Sequence, residues 1–339
     1  MIAPLLSICI PTYNRAEYLE KSLESLVRQD GFPQVEVVIS DNCSEDNTAE
    51  VCGSYCSRYP NIIYHRNKEN IYDRNFPTVL MLAHGVFRKL FNDTMIYEDV
   101  SLRYLIEIVR KYSGSRPFLF FLNGQQLPEK ILPVTELENF ERFCILTGHR
   151  LTWIAGFGLW EEQCVNLEDE FPYCGTNLWQ TYKALRIVSE NEQSVLMSER
   201  IVSIQSVKNR DYSHGLYTVF YKNYPALLAP YVQSGRLSEK AFRKIRKDML
   251  YTQAAPWLFR MPESLKGADF GKEANYKELI LRDYRHEPYY LHFVIWNFFH
   301  YRLKEIRCKY FVMLKKLAVH TAFGRKLLGV KRQRNLKLY

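Results

Sequence analysis

The stretch FRKLFNDTMIYED, Phe87 to Asp99, sets a strand-like run directly ahead of Asn92, Asp93 and Thr94, with Glu98 and Asp99 just beyond. Carboxylate oxygens in such a loop suit a hard divalent cation, and amide or hydroxyl oxygens can contribute. The triplet carries one carboxylate, and one holds a metal more weakly than two. Two readings therefore stay open: a metal-binding loop short of acid, or an ordinary turn after a buried strand. Arg88 and Lys89 lie close enough in sequence to supply positive charge instead, although neighbours on a strand face opposite ways. Three further polar clusters follow apolar runs: Pro11 to Arg15, Asp41 to Asp46, and Arg66 to Asn75.

The elements that must position these clusters can be read from periodicity. Leu5–Ile10 is a continuous apolar run closed by Pro11, as expected of a buried strand. Leu19, Leu23, Leu26 and Val27 recur at helical spacing over Glu17–Gln29, with Gly31 and Pro33 beyond. Further strands are predicted at Val35–Ser40, Asn61–His65, Val86–Phe91 and Phe118–Leu122. Helices are predicted at Thr48–Tyr59, capped by Ser44 and Asn47, at Asn75–His84 and at Leu102–Tyr112. Alternating strands and helices at short spacing imply an α/β fold with a parallel sheet, in which ligands bind beyond the carboxyl ends of the strands. All four polar clusters fall at such ends. From about Glu136 the pattern changes. TWIAGFGLW predicts a loop or strand pair, followed by an acidic turn, a helix from about Thr176 and a strand pair near Ser194–Ser206. Beyond Tyr212 the chain is expected to be mostly helical.

Bulk properties narrow the partners. At 339 residues the chain is long enough for two domains, or for one large domain with an appendage. Its net charge of +9 suits a polyanion, and from Arg302 to Lys337 basic residues face the lone acid Glu305. Aromatic side chains run through the same region from Tyr289. An amphipathic segment of this kind suits an anionic membrane surface, or else packs on the catalytic domain with a solvated basic face. No nucleic-acid module accompanies the charge, so nucleic acid is not expected as a partner. The eight cysteines form no paired metal spacing and read as free thiols. The N-terminus lacks a basic leader, and no window is long enough to span a bilayer.

SICIPTYNRAEYLEKSLESLVRQ and EVVISDNCSEDNTAEV together resemble the first two strand–turn–helix units of family 2 glycosyltransferases with the GT-A fold. HRNKENIYDRN resembles the family's third strand exit, with Tyr72 where a glycine is usual. The resemblance implies a GT-A nucleotide-diphospho-sugar transferase over residues 1–210, with a nucleotide-sugar-binding half (1–125) and an acceptor half (126–210). A helical, basic region follows over 211–339.

The resemblance also implies roles. Pro11, Thr12 and Tyr13 would form the turn against the nucleoside, with Tyr13 offering a stacking face, and Asp41 would accept a hydrogen bond from the base. Arg15 and Arg66 would reach phosphate, with Asn70 in the same loop. Asn92 and Asp93 occupy the position of the family's acidic triplet, so Asp93 would hold Mg²⁺ or Mn²⁺. An inverting transfer needs a base for the acceptor hydroxyl, and Asp169 is the candidate, with Glu161, Glu162, Glu168 and Glu170 nearby. Trp153 and Trp160 would line the acceptor side. The expected activity is transfer from a nucleotide-diphosphate sugar, UDP-linked by preference, to a growing surface glycan or lipid-linked oligosaccharide. It would take place in the cytoplasm, at the inner face of the membrane. The alternative is a non-catalytic nucleotide-sugar-binding or membrane-surface scaffold.

Overall fold

The structure is a computed structural model that describes residues 3–207, 215–259, 269–300 and Leu303. The basic run from Arg302 to Lys337 therefore lies outside the described residues.

The central sheet has five strands in the order β3-β2-β1-β4-β8. These are β1 (Leu6–Thr12), β2 (Val35–Asp41), β3 (Ile62–Arg66), β4 (Phe87–Leu90) and β8 (Gly158–Trp160). The first four are parallel, while β8 runs antiparallel to β4. α1 (Ala16–Val27), α2 (Thr48–Arg58) and α3 (Asn75–Leu82) make the crossovers. Every residue of β2 is buried, as a strand covered on both faces should be. Alternation along the strands feeds two cores. Leu6, Ile8, Ile10, Val35, Val37 and Ile39 join one with α1, α2 and α4 (Ser101–Tyr112). Cys9 and Val38 join the other with α3.

β5 (Met95–Tyr97) pairs antiparallel with β10 (Val202–Ile204). β6 (Phe118–Phe121) and β7 (Val134–Leu137) flank β9 (Ser194–Met197). The strand pair expected at Ser194–Ser206 is thus two strands in different sheets, each paired to a distant segment. β5, β7 and α5 (Phe140–Thr147) had no sequence expectation, because they are short and their partners lie far along the chain. TWIAGFGLW forms tight helical turns leading into β8, and α6 (Trp179–Asn191) starts three residues later than expected.

The C-terminal helices include α7 (Tyr224–Gln233), α8 (Glu239–Met249), α9 (Ala255–Phe259) and α10 (Tyr276–Tyr284), and residues 290–300 are helical as well. Leu228, Ile245, Ala255 and Ile280 share one continuous core with Phe118, Phe143 and Trp179. This part packs on the sheet domain rather than standing apart. Among the described residues no helix is long and apolar enough to cross a membrane.

Candidate active site at the strand ends

Thr12 and Asp41 are partners on the last rung between β1 and β2, and Asp41 is in turn paired with Arg66 at the end of β3. The Asn42 amide donates to the Thr12 carbonyl, and the Phe91 amide donates to the Cys9 carbonyl, drawing the chain after β4 to the same edge. The result is one cluster. The Thr12 hydroxyl donates to Asp93 Oδ2 at 2.9 Å, and Arg15 Nη1 donates to Oδ1 at 3.2 Å. Burial pushes the Asp93 carboxyl above the ordinary range, and Arg15 and Thr12 restrain that rise. Tyr13 is 41% exposed beside them, and Pro11 is half-buried within the strand.

Asp41 is fully buried and its carboxylate is engaged. It accepts from Ser44 N (2.9 Å), from the Tyr64 hydroxyl (2.7 Å) and from Arg66 Nη1 (3.3 Å). Burial and this carboxylate push the Tyr64 phenol up, so Tyr64 stays a donor. The groups Asp41 holds, Tyr64 and Arg66, face the edge. Both stand between that edge and the fully buried Asp41 carboxylate.

The helix after this loop is not capped by Ser44 or Asn47 as expected. Asp46 accepts from the Thr48 and Ala16 amides. Burial works against its charge, but these bonds outweigh it and hold its carboxyl below the usual range. Ser44 accepts from Asn14 N instead, and Asn14 Oδ1 accepts from Glu45 N, which ties the turn after β1 to the turn after β2.

A polar frame supports the next loop. Asn42 donates to Asn70 Oδ1 (2.6 Å) and accepts from Ile71 N (2.8 Å), while Asn75 bridges Ser40 and Asn67. Tyr72 has φ 53°, the left-handed region in which a side chain is strained. That backbone accounts for the glycine usual in the motif. Asp73, 4% exposed, accepts from Gly175 N at 2.8 Å and from Asn177 N at 2.9 Å. Asn70, Tyr72, Asp73, Arg74, Gly175 and Asn177 line a cavity of about 660 Å³. Sequence reading had passed over Asp73. The sequence offered little signal, since Asp73 shares the polar stretch after β3 with a second acid, Glu69.

Several expected residues lie elsewhere. Asp169 is exposed and lines a different cavity, with Glu162 and Lys183. Glu162 follows β8 at the end of the sheet where β4 begins, since Glu161 N donates to the Val86 carbonyl. Trp160 is fully buried, donates through Nε1 to the Pro117 carbonyl and packs on Phe87. It is a core residue and offers no face to a ligand. Trp153 is partly buried against the same core. Arg88 donates to the carbonyls of Leu80 and Gly85. Lys89 is buried among the carbonyls of Ala155, Leu90 and Phe157, and desolvation lowers its pKa. Neither can supply charge at the strand ends. Glu98 pairs with Arg200.

Among the described residues no three His, Cys, Asp or Glu side chains group to hold a metal. The loop nevertheless keeps one free ligand atom, because Asn92 Oδ1, on the residue before Asp93, is buried without a hydrogen-bond partner. One carboxylate and one amide oxygen fit a divalent ion that a ligand's phosphates complete.

Residues 7–86 match the model of glycosyl transferase family 2. The abequosyltransferase RfbV of Salmonella typhimurium is 36% identical over 150 residues, 43% of each chain. Validoxylamine A glucosyltransferase of Streptomyces hygroscopicus subsp. jinggangensis is 50% identical over 56 residues, 16% of this chain and 13% of that protein. The matched region thus spans less than half the length of these relatives. Among solved structures, S. aureus TarS 1-349 superposes with a TM-score of 0.53 at 15% identity, covering 86% of this chain and 88% of that one. Its UDP-GlcNAc complex gives 0.54 at 14% identity, covering 82% and 80%. At this identity the likeness establishes the fold.

Proposed function

We propose that this chain, a family 2 glycosyltransferase in its N-terminal segment, transfers a sugar with inversion from a nucleotide-diphosphate donor to a cell-surface glycan. One observation carries the reading: Thr12, Asp41 and Asp93, from three separate strand ends, meet at a single edge beside Arg15 and Arg66. A nucleoside diphosphate needs its base held and its phosphates neutralised. Tyr13 and Tyr64 offer ring faces, and the two arginines offer fork-shaped donors to phosphate. UDP is the favoured nucleotide, as in the ligand bound to the S. aureus neighbour. Mg²⁺ or Mn²⁺ held by Asp93 and Asn92 would neutralise the diphosphate leaving group.

The acceptor hydroxyl must lose a proton to a carboxylate. In this reading that carboxylate is Asp73, which lines the cavity at the strand ends, and not Asp169. The backbone N–H groups of Gly175 and Asn177 fix its orientation. The acceptor is proposed to be lipid-linked, with the enzyme at an anionic membrane surface. Leu291, Ile295, Trp296, Phe298 and Phe299 are about half exposed or more, and the basic sequence follows directly.

The test is a thermal-shift panel of UDP, GDP, dTDP and CDP with and without Mn²⁺, followed by hydrolysis and transfer assays with the corresponding nucleotide sugars. Stabilisation by one nucleotide, lost in Asp93→Asn, together with turnover of its sugar, is the expected result. No shift with any nucleotide and no turnover would sink the proposal.

A further inference from the structure

A second cavity, of about 350 Å³, lies between the acidic turn after β8 and helix α6, lined in part by Glu162, Asn166, Asp169, Glu170, Tyr173 and Arg186. Glu170 is 6% exposed. Its Oε1 accepts from Lys183 Nζ at 2.6 Å and from Arg186 Nη1 at 3.3 Å. Its other oxygen, Oε2, is buried and has no hydrogen-bond partner. A buried carboxylate oxygen left unmatched is costly unless a donor arrives. Tyr173 is 49% exposed and lies with one face on Tyr182, ring centroids 4.2 Å apart and planes 15° apart, so a rigid aromatic platform borders the same space.

The charges select the ligand. Glu162, Asp169 and Glu170 face Lys183 and Arg186, and Arg116 pairs with Glu162, so acids and bases balance and the space calls for no net charge. A small cation finds no ligand group either, since among the described residues no three acids, histidines or cysteines converge on one point. A neutral ring bearing hydroxyls matches every part. Its hydroxyls donate to Glu170 Oε2 and Asp169, its oxygens accept from Arg186, and its C–H face rests on an aromatic ring.

We infer that this cavity binds one sugar unit of the acceptor glycan, remote from the reacting hydroxyl. The inference rests on the transferase reading for the word acceptor, and on the cavity alone for the word sugar. Position supports it. Tyr173 lines this cavity and the next residue, Cys174, lines the cavity at the strand ends, so the two spaces back onto one short segment. Part of the second space therefore lies next to the first, although Glu162 marks its far side at the end of the sheet where β4 begins. Asp169, expected from the sequence to take a proton, becomes a contact to a sugar hydroxyl.

The experiment is saturation-transfer NMR on the full chain with methyl glucoside, galactoside and mannoside, each with saturating UDP present to block the donor edge. At least one sugar should give signals in the parent protein. Tyr173→Ala removes an exposed ring and should weaken that sugar about ten-fold through lost stacking. Glu170→Gln keeps shape but loses a charged acceptor and should weaken it by a similar factor of about ten. Circular dichroism and UDP thermal shifts on the same samples report folding and donor binding. If UDP binds but no sugar gives a signal, or if signals persist unchanged in both folded variants, the inference is overturned while the transferase proposal stands. If UDP fails to bind and a Tyr173-dependent sugar signal remains, a sugar site is established and its link to an acceptor falls.

Discussion

Replacing Arg15 by alanine isolates the electrostatics at the strand ends. Asp93 is nearly inaccessible, with its side chain 5% exposed, and Arg15 is its one cationic partner in the cluster. A charge-assisted hydrogen bond contributes about 1.5–3 kcal/mol, and stripping the partner from a buried ion costs about 3–5 kcal/mol. Arg15 is itself 38% exposed, so solvent screens the pair and the lower end applies. The expected loss is about 2 kcal/mol at pH 7, and without Arg15 the Asp93 carboxyl rises further above its ordinary range. The sign of the pH dependence follows. Burial already raises this carboxyl, so the folded state holds its proton more tightly than the unfolded chain does. The group's contribution to stability therefore falls as pH rises from the ordinary value of about 4 through the folded value, and it falls further in the variant. Urea unfolding of parent and Arg15→Ala at several pH values should show a gap that is widest at pH 7 and closes as the pH approaches about 4. A gap that stays constant or widens on acidification would refute the assignment of Arg15 as counter-ion to a buried, ionised Asp93.

Other outcomes follow from the same structure. Asp73→Asn should lower kcat about 100-fold or more with donor affinity retained, while Asp169→Asn should leave kcat within about two-fold, as steady-state kinetics will show. Trp160→Phe removes the bond to the Pro117 carbonyl and leaves a gap beside Phe87, costing about 1–3 kcal/mol by denaturant titration with no change in acceptor KM. Burial lowers the His149 pKa to about 3, and Arg150 adds to the effect. Because the unfolded chain binds that proton more readily, stability should fall on acidification from about pH 6.5 towards 3, by up to about 1.4 kcal/mol per pH unit, and His149→Gln should flatten that slope. Flotation with anionic and neutral vesicles should show binding to the anionic ones only, weakened by Trp296→Glu with Phe299→Glu. Equal partitioning of parent and variant would remove the membrane reading.

The strand–helix alternation of the first 120 residues was legible because parallel buried strands leave continuous apolar runs and the crossover helices leave 3.6-residue stripes. The polar clusters were locatable because they follow those runs. The sequence pattern could not show which polar group satisfies which. Trp160 has the residue type of a ligand contact, yet Pro117 and Phe87 bury it, and the Asp41 carboxylate is engaged by Tyr64 and Arg66. Asp73 was overlooked because its partners, Gly175 and Asn177, lie about a hundred residues on, where only folding brings them near. The short strands β5 and β7, and the distant partner of β10, were hidden for the same reason. Each is three or four residues long and is held by a distant strand rather than by its own pattern.

The Asp73 clasp joins the loop after β3 to the lead-in of α6, reinforcing the contact of Arg74 with the Phe171 ring. In the proposed reaction a nucleotide settling against Asn70 and Tyr72 would pull on the Gly175–Asn177 backbone through one carboxylate. Under the proposed function the consequence would be compulsory order: the donor would stiffen the half of the cleft that the acceptor must enter, and acceptor binding would follow donor binding.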